Sequence, residues 1–373
     1  VRFRLTDDQR ALRDGVREVL ARHFDGQALR AAVEGGGAGG CGAGVKGGGI
    51  GGEETGRCGV DGSASDGGGA GGGVTEGDGA GPGGVDGADG FESGGVAACR
   101  CGAVRAGTGS AGAGRAGGPQ WLDRRLWRVL GDLGFFALRV PEADGGVGLG
   151  LPEAVLVFEE AGRVLLPGPL IATHLAAGAV PGAATGETVV AAVDGGLVEW
   201  LAQADVVLGD ATAAVPLRSL DPLTPLHRVP VRVADPVASL LTAAEQLGTA
   251  TRVCELAAQH ARVRQQFGRP IGTFQAVAHL CAGILVRAET ARAAVYAAAV
   301  TADPADIAAA RILADEAAVR GARDCLQVHG GMGFTWESEV HLHLKRAWVR
   351  TQRAGGVTES EELLATALTP GAA

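Results

Sequence analysis

Two stretches decide the fold, RVRQQFGRPIGTFQAVAH at residues 262–279 and QVHGGMGFTWESEVHLHLKRA at residues 327–347. Each sets a glycine-bearing turn beside a helix end. Each also supplies hydrogen-bond donors, Arg264, Gln266 and Gln275 in the first and Gln327 in the second, beside aromatic faces from Phe267, Phe274 and Trp336. Backbone amides exposed at such turns can receive a pyrophosphate, and an arginine supplies the matching charge. Taken by themselves, Gly330 and Gly331 read equally as a helix C-cap, and Arg264 as a solvent-facing side chain. The residues alone leave both readings open.

Outward from these words the texture is helical. Asp235 before Pro236 gives an N-cap and a first-turn proline, and Leu240, Ala244, Leu247, Thr251, Cys254, Ala258 and Ala261 then mark one face. A second long helix is expected from Gln275 through Ala299. Asp303 and Pro304 repeat the start signal for a third that ends at Gly330 and Gly331. Alanine-rich helices joined by short loops imply an antiparallel bundle, because small side chains let the axes approach. Upstream, TVVAAVD, ADVVLGD and HRVPVRV are short β-branched runs broken by Gly, Pro and Asp, enough for a few strands. Earlier still, Thr6 with Gln9 forms a capping-box signature, and Leu12, Val16, Val19 and Leu20 follow at helical spacing. LWRVLGDLGFFALRVP reads as a helix ended near Gly134, PEADGGVGLG as a loop, and a further helix runs from about Pro152 to Gly162.

Composition bounds the rest. The 373 residues include 64 glycines, far above the ~7% of an average chain. Residues 35–118 hold 37 of them in 84 positions and almost no Leu, Ile or Phe, so this segment cannot bury enough apolar surface to fold and is expected to be disordered. It reads as a tether, or as an insertion without a role. The 33 basic against 42 acidic side chains give a net charge of −9, which speaks against a nucleic-acid surface. Residues 164–186 carry no charge, but Pro167, Gly168, Pro169, Pro181 and Gly182 interrupt them, so a buried loop and short helix are expected there and not a membrane span. The start of the chain has no continuous apolar region, which speaks against a secretory signal and for the cytoplasm. Seven cysteines without a CxxC pair fit a reducing compartment and no structural zinc. His329, His341 and His343 lack metal-ligand spacing, so no metal is expected.

The RxQFGxPIxxFQ and QxHGGxGFTWE patterns closely resemble the carboxy-terminal domain of acyl-CoA dehydrogenases. The resemblance runs through residues 236–347 and extends to FRLTDDQRALRDGVREVL at the start and LWRVLGDLGFFALRVPEADGGVGLGLPEAVLVFEEAGRVLLPGPL before the β segment. It implies a mainly α fold: an N-terminal helical domain (1–34 and 119–186) split by the glycine-rich insert (35–118), a small, shortened middle β domain (187–235) and a C-terminal four-helix bundle (236–368). It further implies FAD between β domain and bundle and across a subunit interface, in a homo- or hetero-oligomer, dimer or tetramer. Carried over by motif, Arg264, Gln266, Phe267, Gln275, Gln327, Gly330 and Gly331 would contact the pyrophosphate and adenosine part. The implied activity, in fatty acid or lipid metabolism, is oxidation of an acyl-CoA to a 2-enoyl-CoA, with electrons leaving through an electron-transfer flavoprotein.

That chemistry needs a carboxylate within reach of the substrate's α carbon. Relatives carry it as Glu in a YEG-like word, where this chain has Ala354, or early in the first long helix, where it has Ala238. The nearest acid on that helix is Glu245, seven residues and ~10 Å of rise further along on nearly the same face, and it is the candidate base. The alternative is a non-catalytic partner subunit that completes the FAD site of an unlike chain.

Overall fold

The computed structural model describes residues 4–37, 103–104, 122–230 and 234–369. Most of the glycine-rich segment expected to be disordered lies outside the described residues. Helix α1 (Asp7–His23) starts at Thr6, whose hydroxyl accepts from the Gln9 backbone while the Gln9 side chain reaches back to the Thr6 amide. Its apolar stripe faces α4 (Leu151–Arg163), and Arg17 pairs with the buried Glu160 at 2.6 Å. Between them, α2 (Gly26–Gly37) is capped by Asp25, which accepts from the amides of Gln27 and Ala28, both at 2.9 Å. Helix α3 (Arg124–Asp132) begins on Asp123, and α5 (Leu170–Ala176) is the short helix within the uncharged stretch. Among the described residues no helix is long and apolar enough to cross a membrane.

Trp127, Phe135, Phe136, Phe158 and His174 form one aromatic cluster inside these helices. His174 Nδ1 lies 3.0 Å from the Phe136 carbonyl, and its buried Nε2 has no partner. Burial and the nearby charge of Arg139 hold the imidazole down at about 4, so the folded chain keeps it neutral. An unfolded histidine takes up its proton near pH 6.5, so stability from this group is present above that pH and is lost as pH falls towards 4. Urea unfolding should show the chain losing up to ~3 kcal/mol more than a His174→Asn variant across that window. Parallel pH curves for the two proteins would contradict this.

The sheet has the order β1-β4-β2-β3-β6-β5 and is antiparallel except for the β2–β4 pair. Its strands are β1 (Ala103–Val104), β2 (Val190–Asp194), β3 (Leu197–Glu199), β4 (Val206–Leu208), β5 (Val215–Leu217) and β6 (Leu226–Arg228). The two-residue β1 comes from inside the stretch expected to be disordered, and it adds a strand to one sheet edge. The β2–β3 turn, residues 194–196, places Gly195 and Gly196 at φ 59° and 87°, which glycine adopts without strain.

The bundle consists of α6 (Pro236–Val263), α7 (Gln275–Thr301) and α8 (Pro304–His329), followed by α9 (Val340–Arg350) and α10 (Gly356–Leu368). Asp235 and Asp303 cap α6 and α8, each accepting from two backbone amides. Helix α4 crosses α6 at glycines. A Cβ added at Gly248 would lie 2.0 Å from the Glu159 carbonyl oxygen, and one at Gly162 would lie 2.1 Å from that of Glu245. The two backbones therefore touch, and the first helical segment and the bundle share one core.

Candidate functional site

At one end of the bundle, α6 leads into a hairpin, β7 (Gln265–Gln266) with β8 (Arg269–Pro270). The two turn residues, Phe267 and Gly268, have φ 52° and 74°, the signature of a type I′ turn. Phenylalanine is a costly residue for that conformation, and here it stands 91% exposed. A 3₁₀ turn (Ile271–Thr273) then delivers the chain to α7, with Phe274 edge-on to Phe267 and under the Arg269 guanidinium. The second word makes a parallel construction. Helix α8 ends at His329, Gly330 turns at φ 61°, ψ −145°, a conformation open to glycine alone, and a 3₁₀ turn (Gly330–Phe334) follows.

The two turns lie side by side. His260, in the last turn of α6, stacks on His329 with ring centroids 4.2 Å apart. The Arg252–Glu339 ion pair, Nε to Oε1 3.1 Å, and an apolar cluster that includes Ile271, Phe274, Leu326 and Val340 tie the same elements together. Arg264, Gln266, Phe267, Gln275, Gln327, Gly330 and Gly331 are all exposed there. Among the described residues, none of the four polar side chains in this group makes an intrachain hydrogen bond. A Cβ at Gly330 or Gly331 would meet nothing within 4 Å, so the turn's backbone is open to a ligand. Around these donors stand Phe334, 70% exposed, and Trp336, 64% exposed. One guanidinium, three amides and bare glycine backbone are a donor set that fits a pyrophosphate-bearing nucleotide.

A cleft of ≈390 Å³ lies between the sheet and α9, bordered by Gly195, Gly196, Arg218, Arg228, Trp348 and Gln352. Arg323 of α8 sits over the Trp348 ring, and Gln327 lies one helical turn beyond Arg323. Among the described residues no carboxylate borders this cleft.

The carboxylates lie behind it. Glu245, 3% exposed, places Oε2 3.1 Å from Arg350 Nε and 3.1 Å from Arg353 Nη1. Arg353 also approaches Glu199 at 3.3 Å and Asp194 at 3.8 Å. Arg311, held by Asp315 at 2.9 Å, donates to the backbone oxygens of Arg350 and Arg353. Burial pushes the carboxyls of Asp194 and Glu199 up from the usual range, against the lowering effect of Arg353. Burial also lowers the Arg350 guanidinium to about 10, partly countered by Glu245. Ala354 and Ala238 are each 5% exposed and bring no acid. These charged residues were missed as a group in the sequence. The i, i+4 spacing of Arg346 and Arg350 was the available signal, since it puts two arginines on one face of α9 with Ala347, Trp348 and Val349 between them.

The other titratable candidates are buried. His343 is 1% exposed and His341 6%, and burial lowers both imidazoles. Burial pushes the Cys325 thiol up to about 12 and raises those of Cys254 and Cys281, which makes all three poor nucleophiles. Among the described residues no group of three His, Cys, Asp or Glu side chains is placed to hold a metal ion.

A helical domain, a small sheet and a bundle whose end carries an open donor clasp define an acyl-CoA dehydrogenase type of architecture. The chain belongs to the acyl-CoA dehydrogenase family: residues 237–364 match the C-terminal domain of the family and residues 116–188 its N-terminal domain. It is 36% identical over 265 residues to acyl-CoA dehydrogenase IpdE2 of Mycobacterium tuberculosis, a match covering 60% of this chain and 80% of the relative. Acyl-CoA dehydrogenase FadE34 of the same organism is 36% identical over 278 residues, covering 60% of this chain and 39% of the relative. The ChsE4-ChsE5 complex of M. tuberculosis superposes with a TM-score of 0.57 at 28% identity, over 68% of this chain and 90% of the other. Butyryl-CoA dehydrogenase of Megasphaera elsdenii shares the fold with a TM-score of 0.56 at 18% identity, over 66% of this chain and 90% of the other.

Proposed function

We propose that this chain is the FAD-clasping subunit of a heteromeric acyl-CoA dehydrogenase, working beside an unlike chain that carries the catalytic carboxylate. The reaction is the FAD-dependent α,β-dehydrogenation of an acyl-CoA thioester to a 2-enoyl-CoA, with an electron-transfer flavoprotein as acceptor and the cytoplasm as compartment. The observation that carries this reading is the contrast between the two ends of the site. An outward-facing donor set stands at the paired turns, while among the described residues no carboxylate borders the cleft.

In this reading the Arg264 guanidinium pairs with the FAD pyrophosphate, and the amides of Gln266, Gln275 and Gln327 donate to the nucleotide. The bare backbone at Gly330 and Gly331 admits it closely. Phe267 and Phe334 would shield the bound nucleotide from water. When bound, FAD supplies a hydride acceptor for the substrate's β C–H bond. Glu245 is not the base in this account, because a single buried oxygen faces two guanidinium groups and holds them in place. The solved complex of two differently named chains, ChsE4 with ChsE5, supports a paired arrangement for a relative of this fold.

Co-expression with an acyl-CoA dehydrogenase chain that carries the catalytic glutamate tests the proposal. Flavin absorbance and acyl-CoA-dependent reduction of an artificial acceptor are expected in the copurified pair and not in this chain alone. Full activity of the chain by itself would overturn the partner role.

A further inference from the structure

We infer that the stacked imidazoles of His260 and His329 take up one proton when the clasp receives an anionic nucleotide, so that the chain binds FAD more tightly as pH falls. This rests on the proposed FAD clasp and deepens that reading, since it adds two residues and a proton to the same site.

Both α6 and α8 end at the clasp, and the last carbonyls of a helix carry partial negative charge, which repels an anion. A pyrophosphate diester is doubly charged, whereas the donor set of Arg264, Gln266, Gln275 and Gln327 contains a single guanidinium. A further positive charge is needed beside Arg264. Arg262 lies two residues away and therefore on the far side of α6, and the Arg269 guanidinium is engaged over the Phe274 ring. His260 stands one helical turn before Arg264 on the same face, and its ring stacks on that of His329, the residue before Gly330. Imidazole is the side chain that can gain a charge near neutral pH when an anion arrives.

The stack suits one proton and not two. With centroids 4.2 Å apart two imidazolium rings would repel each other, while a single charge is favoured by both helix ends. His329 Nδ1 lies 2.8 Å from the Cys325 carbonyl oxygen, which can only accept, so Nδ1 carries a hydrogen and Nε2 is the nitrogen free to gain one. Among the described residues neither imidazole is paired with a carboxylate. Glu339, before α9, is held by Arg252 of α6, and Asp324 of α8 by Arg287 of α7. His279 of α7 and Glu337 of the α8–α9 connection are exposed, where salt screens them. In the free chain burial lowers the His260 imidazole, and the charges of His329 and Arg264 add to that, so His260 is neutral at pH 7. A bound anion acts in the opposite sense and favours the charged ring. The bound state then holds more protons than the free one, so affinity is greatest below pH 6.5 and falls as pH rises through neutrality.

Calorimetric titration of FAD into the apo form of the copurified pair tests this, run at about pH 7 in phosphate and in Tris, buffers with different ionisation enthalpies. No group of FAD titrates between about pH 6 and pH 8, so a heat that differs between the buffers counts protons taken up by protein. Uptake of about half to one proton per copy of this chain is expected, and Kd should rise on the order of 5- to 10-fold between about pH 6.5 and pH 8. The double variant His260→Phe/His329→Phe keeps two stacked rings that cannot be protonated. With an unchanged circular dichroism spectrum, it should match wild-type affinity at about pH 8 and lose the dependence on both buffer and pH. Buffer-independent heats for the wild-type pair would overturn the inference, and that measurement does not depend on the variant folding. A double variant that keeps the full pH dependence would overturn it as well. Absence of flavin binding at every pH would sink the clasp reading and the inference together, whereas binding without proton uptake sinks the inference alone.

Discussion

Gly248→Leu should cost this chain at least about 3 kcal/mol of folding stability, with circular dichroism showing loss of helix at urea concentrations where the wild type is native. The side chain would have to enter where a Cβ already falls 2.0 Å from the Glu159 carbonyl and 2.7 Å from the Arg163 amide. Both are backbone atoms, so no rotamer change relieves the clash and α4 must move off α6. With it would go the Glu159 carboxylate, which accepts from Tyr296 at 2.7 Å and Arg292 at 2.6 Å and ties α4 to α7. Against a total of ~5 to 15 kcal/mol this is a large fraction. Gly15→Ala is the control. It lies in α1 with nothing within 4 Å of the new methyl, and it should stabilise by ~0.5 to 1 kcal/mol through helix propensity. Equal effects of the two substitutions would show that α4 and α6 do not meet as described.

Glu245→Ala should be nearly as damaging, at ~3 to 5 kcal/mol, because it leaves Arg350 and Arg353 buried with part of their countercharge gone. Arg350 is already depressed to about 10 by burial, so it has little tolerance for losing its carboxylate. Arg353 would retain Glu199 and Asp194, which places the loss at the lower end of that range. The measurement separates two roles for Glu245. A structural ion pair predicts that Glu245→Gln lowers the urea midpoint of the chain and leaves the flavin and turnover of the copurified pair intact wherever the variant is folded. A base predicts the reverse, full stability with no turnover, and that result would return Glu245 to the chemistry.

Much of the helical frame is legible because its ends are written locally. Asp235 with Pro236, Asp303 with Pro304, and Thr6 with Gln9 specify starts through hydrogen bonds within three residues, and all three appear where the sequence puts them. Helix α2 was not read, because its cap Asp25 introduces a sequence that runs straight into the glycine-rich stretch. The hairpin at residues 265–270 was not legible, because Phe-Gly at its tip is a poor sequence signal for a type I′ turn. The clasp was legible as two words, but their adjacency was not. It depends on α6 and α8 ending at the same level, which the His260–His329 stack records. The ionic cluster was the least legible feature, as Glu245 and Arg353 meet across a separation of 108 residues. Sequence showed that Ala354 and Ala238 carry no acid, and the fold adds that both are buried.

If the paired turns hold the nucleotide of FAD, an Arg264→Ala variant should bind flavin more weakly than the unsubstituted chain. Absorbance between 350 and 500 nm, followed while FAD is titrated into the apo form of the copurified pair, gives that affinity. A loss of ~1.5 to 3 kcal/mol, on the order of 10- to 150-fold in Kd, is expected, with the stability of the chain unchanged because Arg264 is exposed. An affinity equal to that of the unsubstituted pair would contradict it.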